Sequence, residues 1–92
     1  MTDQEIMNIV KSIFVKEFEV DESEVAPETH IYEQLGLDSL DSVDLVVALE
    51  KAFNFKVDRV ADGKQLAAIR RIADVLDYIK QKRDQLIDKK LA

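Results

Sequence analysis

The chain has 92 residues, 47% of them hydrophobic, with two glycines, one proline and no cysteine. The hydrophobic content excludes a disordered chain, and the lack of cysteine excludes a disulfide framework and a cysteine-based zinc site. The length predicts one domain over residues 1–92. Residues 1–50 hold thirteen acids and two lysines, a net charge of −11, whereas residues 51–92 hold six acids and eleven basic residues, a net charge of +5, so that the total is −6. Because an acidic surface repels phosphates and attracts basic proteins, we expect basic protein partners and no nucleic acid.

The first predicted element is an amphipathic helix from about Asp3 to Glu19. Thr2 and Glu5 have the spacing of a capping box, which satisfies the first amides of a helix. Apolar residues recur after this point at the three- and four-residue spacing of one helical face: Ile6, Ile9, Val10, Ile13, Phe14 and Phe18.

A long connection follows from Val20 to Leu37, in which the helical periodicity is lost. It contains Pro27 and Gly36 and a few isolated apolar residues that we expect to anchor it: Val25, Ile31 and Leu35. A connection of this length in a small domain is usually functional or held by its own side chains.

The second helix is predicted from Ser39 to about Phe53. Gly36 can supply the turn before it, Asp38 is a good N-cap, and Asp41 stands at the capping-box distance from Asp38. Carboxylates at this position are favoured by the positive end of the helix dipole.

This second helix has two apolar stripes, of which the core needs only one. The first stripe, which we assign to the core, consists of Leu45, Val46, Leu49 and Phe53. The second stripe lies on the other side, flanked by acids, and consists of Leu40, Val43 and Val47. It either meets another molecule or packs against the third helix or the long connection.

The remainder of the chain predicts two more helices after an extended linker over residues 54–57. A short helix capped by Asp62 continues from Gly63 through Ala68, and a last helix runs from about Arg70 to Leu86, with residues 87–92 expected to fray. No alternating pattern predicts a strand. The predicted fold is therefore an all-α four-helix bundle, with three longer helices, one short third helix and a long first loop.

No stretch approaches the roughly 20 apolar residues that a membrane-spanning helix requires. The N-terminal residues MTDQEIMNIV also lack the basic region and apolar block of a signal peptide. We therefore expect a cytoplasmic protein without a membrane span.

Enzymatic and metal chemistry find little support in the sequence. The one histidine, His30, lies in the connection, where a capping or surface role is more common than a catalytic one; pairing with Ser39 in hydrolysis is a weaker alternative. Ser39 does not lie in the G-x-S-x-G pattern of a nucleophile elbow. The spacing of Asp38, Asp41 and Asp44 lacks the alternating ligands of a calcium loop. We expect neither catalytic residues nor a metal.

Residues 36–50, GLDSLDSVDLVVALE, closely resemble the phosphopantetheine attachment motif of the acyl carrier protein family, whose Asp-Ser-Leu opens the second helix. The resemblance extends over nearly the whole chain, from the first helix to the last helix around residues 73–79. It implies that a phosphopantetheinyl transferase moves 4'-phosphopantetheine from coenzyme A to the Ser39 hydroxyl, giving a phosphoprotein whose arm holds acyl groups as thioesters. Free amides and the helix dipole would favour the phosphodiester there, whereas Asp38 and Asp41 would repel it and keep the arm extended toward partners.

The resemblance further implies a monomeric carrier that performs no catalysis itself. Its partners would be the transferase and acyl-transferring, condensing and reducing enzymes with basic docking patches. By resemblance, the recognition face for these partners consists of Asp38, Leu40, Asp41, Val43, Asp44 and Val47. The first stripe would line the interior, where the family can shelter an acyl chain.

Two departures from the fatty acid carriers leave the pathway open. Lys51 replaces an expected acid, and residues 58–69 form a longer and more basic segment that leads into Arg70 and Arg71. Fatty acid or related lipid biosynthesis is the first interpretation, and a specialised carrier for a polyketide-like or secondary lipid pathway is the second. A non-carrier acidic helical adaptor is a third. The acyl group and the role of the region from Arg59 to Arg71 are not encoded in any motif.

Overall fold

The computed structural model describes residues 2–58 and 60–91, with the side chains of Ser39 and of residues 85–91 outside that description. Within those ranges it contains four α-helices: α1 (Asp3–Phe18), α2 (Ser39–Phe53), α3 (Gly63–Ala67) and α4 (Ile72–Leu91). A short 3-10 turn over Glu22–Glu24 interrupts the long connection. The predicted all-α bundle with a short third helix is confirmed.

The first helix begins as its local sequence dictates. The Glu5 amide donates to Thr2 Oγ1 at 3.2 Å, and the Thr2 amide donates to Glu5 Oε1 at 3.3 Å, so the capping box is present. The helix ends at Phe18 because Glu19 adopts the left-handed conformation with φ 55°.

The core lies where α1, α2 and α4 meet. Side chains on the inner faces of these helices are almost completely buried, and they include Ile6, Val10, Phe14, Leu49, Ile72, Val75 and Tyr78. Burial of this apolar surface is the main stabilising contribution to the fold. No helix within the described residues is both long enough and apolar enough to span a membrane.

The long connection is attached to the start of α4 by backbone hydrogen bonds. The Ile31 amide donates to the Arg70 carbonyl at 2.8 Å, and the Ile72 amide donates to the Thr29 carbonyl at 3.0 Å. Val25 and Ile31 are buried, as predicted for anchors, and Leu35 is half-buried. These bonds form an isolated antiparallel bridge between His30 and Arg71. The described residues contain no β-strand longer than this bridge.

This attachment shifts the start of the last helix. The prediction placed it at about Arg70, but α4 begins at Ile72. The Asp74 carboxylate accepts hydrogen bonds from the amides of Arg70 and Arg71 at 2.9 and 3.0 Å. The Arg70 carbonyl accepts the Ile31 amide instead of an amide of α4. At the other end α4 continues through Leu91, beyond the predicted end at Leu86. Fraying of residues 87–92 stays a prediction, and Ala92 lies outside the described residues.

The short third helix begins at Gly63 as predicted, but its N-cap bond and its C-terminal end differ from the prediction. It spans Gly63–Ala67, and Ala68 closes it as the C-cap residue. Asp62 occupies the N-cap position, but its side chain makes no capping bond, so that part of the prediction is wrong. The physical reason is tertiary: the Asp62 carboxylate bonds to side chains of α4 instead.

Candidate functional site

The segment before α2 is held in one path by a turn and a buried anchor. Gly36 has a φ of +75°, a conformation that costs glycine little and other residues more. Leu37 follows with its side chain buried and its amide donating to the Ile31 carbonyl at 3.3 Å. The chain therefore enters α2 from a defined position on the core.

The first turn of α2 is closed by two aspartates. Asp38 Oδ1 accepts the amides of Leu40 and Asp41 at 2.9 and 3.0 Å, and the Asp38 amide donates to Asp41 Oδ2 at 3.1 Å. The predicted capping box is confirmed. Ser39 is the first residue of the helix, directly after the cap, although the placement of its side chain lies outside the described residues.

The same bonds correct one expectation about this helix end. Free amides were expected to receive a phosphodiester, but the Leu40 and Asp41 amides already donate to the Asp38 side chain, and the Ser42 amide donates to the Asp38 carbonyl at 3.2 Å. The Asp38 side chain binds these amides in preference to an external anion because it is part of the same turn and is always within reach of them. An anion here would meet the dipole of the helix but not these amides.

The two apolar stripes of α2 differ in how far their side chains are exposed to solvent. Leu45 and Leu49 are 4% and 1% exposed, whereas Leu40, Val43 and Val47 are 75%, 46% and 37% exposed. Of the remaining predicted core positions, Val46 and Phe53 are only half-buried. Neither α3 nor the long connection covers the exposed stripe, although Val43 lines a cavity together with residues of α3.

Acids accompany the exposed stripe. Asp38 and Asp44 are exposed, and Asp41 is half-buried because its carboxylate closes the capping box. The structure thus brings all six residues predicted for the recognition face onto the first three turns of one helix.

A groove of about 290 Å³ between α1 and α2 extends this acidic surface. Its lining contains Asp41, Asp44 and Val47 from α2, together with Glu17 and Phe18 from the end of α1. Sequence reasoning did not assign Glu17 and Phe18 to the site, because only the packing of the two helices places them there.

The charge changes sign toward the C-terminal end of α2. Lys51 lines the acidic groove at one side and, with Lys56, a second groove of about 360 Å³ at the other. Val47 lines both grooves and Phe55 lines the second. The exposed stripe therefore runs from an acidic region to one in which two lysines accompany Glu50.

A third cavity, of about 280 Å³, lies between α2 and α3. Leu45, Val46 and Leu49 line it as expected for the interior stripe, but Phe53 is not part of its wall. The opposite wall comes from other elements, namely Tyr32, Gly63, Leu66, Ala67 and Ile69. Sequence periodicity could not indicate these residues, since they follow no common helical face.

His30 stabilises a turn in the long connection through two hydrogen bonds. Its Nδ1 accepts the Glu33 amide at 3.1 Å, and its own amide donates to Gln34 Oε1 at 2.6 Å. The ring nitrogen that a general base would use is thereby engaged in a turn, in agreement with a capping role.

The comparison with protein families decides the identity of this arrangement. The family described as the phosphopantetheine attachment site matches residues 8–79, which include α2, its capped start and both grooves. The chain belongs to this family of phosphopantetheine carriers. Members of the family carry covalently attached 4'-phosphopantetheine and act as carrier domains rather than as catalysts.

The carrier assignment is compatible with the geometry around the start of α2. The turn at Gly36 borders open space, since a β-carbon at this residue would meet no atom of the described residues within 4 Å, and the neighbouring Leu40 is 75% exposed. The surface next to the start of α2 is therefore open at Gly36 and at Leu40. The group supplies a thiol, which this cysteine-free chain lacks.

Proposed function

We propose that the Ser39 hydroxyl is the attachment point of 4'-phosphopantetheine and that this protein is an acyl carrier for fatty acid or related lipid biosynthesis. The observation that carries the proposal is the position of Ser39 as the first residue of α2, within the region that the family matches. The turn at Gly36 precedes Ser39 in the chain, and the exposed Leu40 follows it. Asp38 defines this position by closing the first turn.

The modification is a phosphoryl transfer to Ser39. The serine oxygen attacks the β-phosphorus of coenzyme A, a new P–O bond forms, and the bond to the departing 3',5'-adenosine diphosphate breaks. The hydroxyl proton passes to a base of the transferase. Once attached, the group supplies the thiol on which acyl chains are held as thioesters.

The exposed face of α2 is the surface we assign to partner recognition. Asp38 and Asp44 attract basic patches on the transferase and on acyl-transferring, condensing and reducing enzymes, and Asp41 adds to the same field. The exposed aliphatic residues Leu40, Val43 and Val47 add a small area of apolar contact. Such an interface is suited to brief and successive encounters by a monomeric carrier in the cytoplasm.

The basic end of α2 favours a second candidate, a specialised carrier for a polyketide-like or secondary lipid pathway. Lys51 and Lys56 face the second groove, and Lys64, Arg70 and Arg71 are exposed farther along the chain. Arg59, which the sequence adds to this region, lies outside the described residues. Partners of this carrier would need acidic groups opposite the lysines.

Intact mass spectrometry tests the attachment. The purified chain is incubated with coenzyme A, magnesium and a broad-specificity transferase, and we expect a gain of one phosphopantetheine. Ser39→Ala should abolish the gain, while the matched control Ser42→Ala should retain it. A folded parent chain of unchanged mass would contradict the carrier assignment and favour the acidic adaptor; a modified Ser39→Ala chain would move the attachment point.

The acyl cargo distinguishes the two pathways. Mass spectrometry of the protein isolated from its native cell should show saturated or β-modified fatty acyl groups if it serves fatty acid biosynthesis. Branched, aromatic or multiply oxygenated acyl groups would instead support the specialised carrier.

A further inference from the structure

The carboxylate of Asp62 connects the start of α3 to the middle of α4. Its Oδ2 lies 2.6 Å from Lys82 Nζ and 2.9 Å from the Tyr78 hydroxyl, which donates to it. The side chains of Asp62 and Lys82 are only 13% and 18% exposed, and Tyr78 is fully buried. Lys82 Nζ also lies 5.6 Å from the centre of the Tyr78 ring, within the range of a cation–π contact. We call these three residues the Asp62–Tyr78–Lys82 cluster.

The electrostatics of this cluster favour the charged carboxylate. Partial burial disfavours the charge on Asp62, but the bonds from Lys82 and Tyr78 outweigh it and lower the pKa of the carboxyl. Burial, followed by the bond to Asp62, raises the pKa of the Tyr78 hydroxyl. Removal of one partner from a largely shielded ion pair is destabilising, because the charge of the other partner is left without compensation.

Helix α3 has few other contacts, among them the bond that Arg70 Nη1 donates to the Ala67 carbonyl at 2.6 Å. It comprises five residues, none of them buried, and its N-cap side chain makes no capping bond. Its Leu66 is half-buried, and Gln65 Nε2 donates to Gln81 Oε1 at 2.7 Å, again on α4. A helix this short has no intrinsic stability in water, so tertiary contacts must maintain it.

The two sides of α3 differ in chemistry. One side is joined to α4 by the polar contacts of Asp62 and Gln65. Gly63, Leu66 and Ala67 form a wall of the apolar cavity that α2 closes from the opposite side. Movement of α3 away from α2 would therefore widen the cavity.

We propose that the Asp62–Tyr78–Lys82 cluster is a latch that holds α3 in place over the cavity between α2 and α3, and that release of this latch opens α3 as a unit while the core of α1, α2 and α4 stays folded. Asp62 and Lys82 are positioning residues in this scheme. They act through α3 on a cavity that they do not line. Local opening of one weakly packed element below the free energy of global unfolding is a common property of proteins. That the opening admits an acyl chain rests on the proposed carrier function; the latch itself does not.

Hydrogen exchange on the full chain as purified, with its mass recorded, tests the latch. The Leu66 amide donates to the Asp62 carbonyl at 2.9 Å and the Ala68 amide to the Lys64 carbonyl at 3.1 Å, so both report on α3. In Asp62→Asn, which keeps an acceptor for Tyr78 but removes the charge, exchange at these amides should accelerate about tenfold. Amides inside α1 and α4, such as those of Val10 and Ile79, should change less than about twofold.

Matched variants separate the latch from a general effect of charge. Asp77→Asn removes the same charge from an exposed position of α4 and should leave exchange in α3 unchanged. Lys82→Met should reproduce the Asp62→Asn effect, and the double variant should exceed neither single variant by much, because both break one contact.

Three outcomes would overturn the latch: unchanged exchange at Leu66 and Ala68 in Asp62→Asn, an equal acceleration throughout the chain, or unprotected exchange of these amides in the parent. None of these outcomes bears on whether Ser39→Ala loses its mass gain. The latch and the carrier function can therefore fail independently.

Discussion

Asp38 and Asp41 cap each other across the first turn of α2, with the Asp41 amide 3.0 Å from Asp38 Oδ1 and the Asp38 amide 3.1 Å from Asp41 Oδ2. This reciprocal pair sets where the helix begins and therefore where Ser39 lies. Asp38 also accepts the Leu40 and Asp41 amides, which are then not available to bind a phosphodiester. In the proposed carrier, the prosthetic arm would be tethered by its covalent bond rather than held by the helix end.

Replacement of the cap tests its structural contribution. We expect Asp38→Ala to lower the free energy of unfolding by about 1 kcal/mol, since the first amides of α2 lose their acceptor. Asp38→Asn should retain most of the stability because asparagine is an equally good N-cap. Urea unfolding followed by circular dichroism gives both values, and equal losses in the two variants would show that charge, not capping, matters at this position.

Two leucines of α2 should respond in opposite ways to truncation. Leu49→Ala should cost about 2–5 kcal/mol of stability because the side chain is buried and a cavity remains. Leu40→Ala should change stability by less than about 0.5 kcal/mol, since Leu40 is exposed. Thermal and urea unfolding measure the difference; a large loss in Leu40→Ala would mean that the exposed stripe has a structural partner.

Charge reversal on the proposed recognition face should slow the encounter with a basic partner. In Asp44→Lys we expect kcat/KM for modification by the transferase to fall about tenfold at low salt, with an unchanged helical spectrum. Raising the salt concentration to about 0.5 M should slow the parent in the same direction, because ions screen exposed charges.

Lys51→Glu is the matched control for that experiment. It extends the acidic groove along the same helix and should accelerate modification rather than slow it. If Asp44→Lys reacts as fast as the parent chain, α2 is not the face that meets the transferase.

Acid should destabilise the fold through carboxyls that accept bonds in the native state. Hydrogen bonds from the amides of Arg70 and then Arg71 lower the pKa of Asp74, and the pKa values of Asp3 and Asp62 are lowered as well. A carboxyl with a lower pKa in the folded chain stabilises it above the unfolded pKa, and this contribution is lost as the pH falls through the folded value. Stability should therefore drop between about pH 5 and about pH 2.

Asp74→Asn tests the origin of this acid sensitivity. The variant lacks one of the responsible carboxyls, so its urea midpoint should fall less than that of the parent over the same pH range. Asp77→Asn, from an exposed position of the same helix, should follow the parent. Parallel curves for Asp74→Asn and the parent would assign the acid sensitivity to other groups.

Local sequence determined the parts of the structure that depend on near neighbours. The helical periodicity and the capping pairs at Thr2 and Asp38 join residues within one or two turns, so α1 and α2 begin where predicted. The residues around Ser39 indicated the carrier family for the same reason, because the attachment motif is contiguous. The separation of two apolar stripes on α2 also followed from the angle between successive residues.

Tertiary structure decided what depends on residues far apart in the chain. Asp62 was predicted to cap its own helix, but packing of α3 against α4 offered it Tyr78 and Lys82 as stronger partners. The backbone bonds between residues 29–31 and 70–72 delayed the start of α4, and the contact between α1 and α2 added Glu17 to the acidic groove. Such partners are chosen by proximity in the folded chain, which no local pattern of residues encodes.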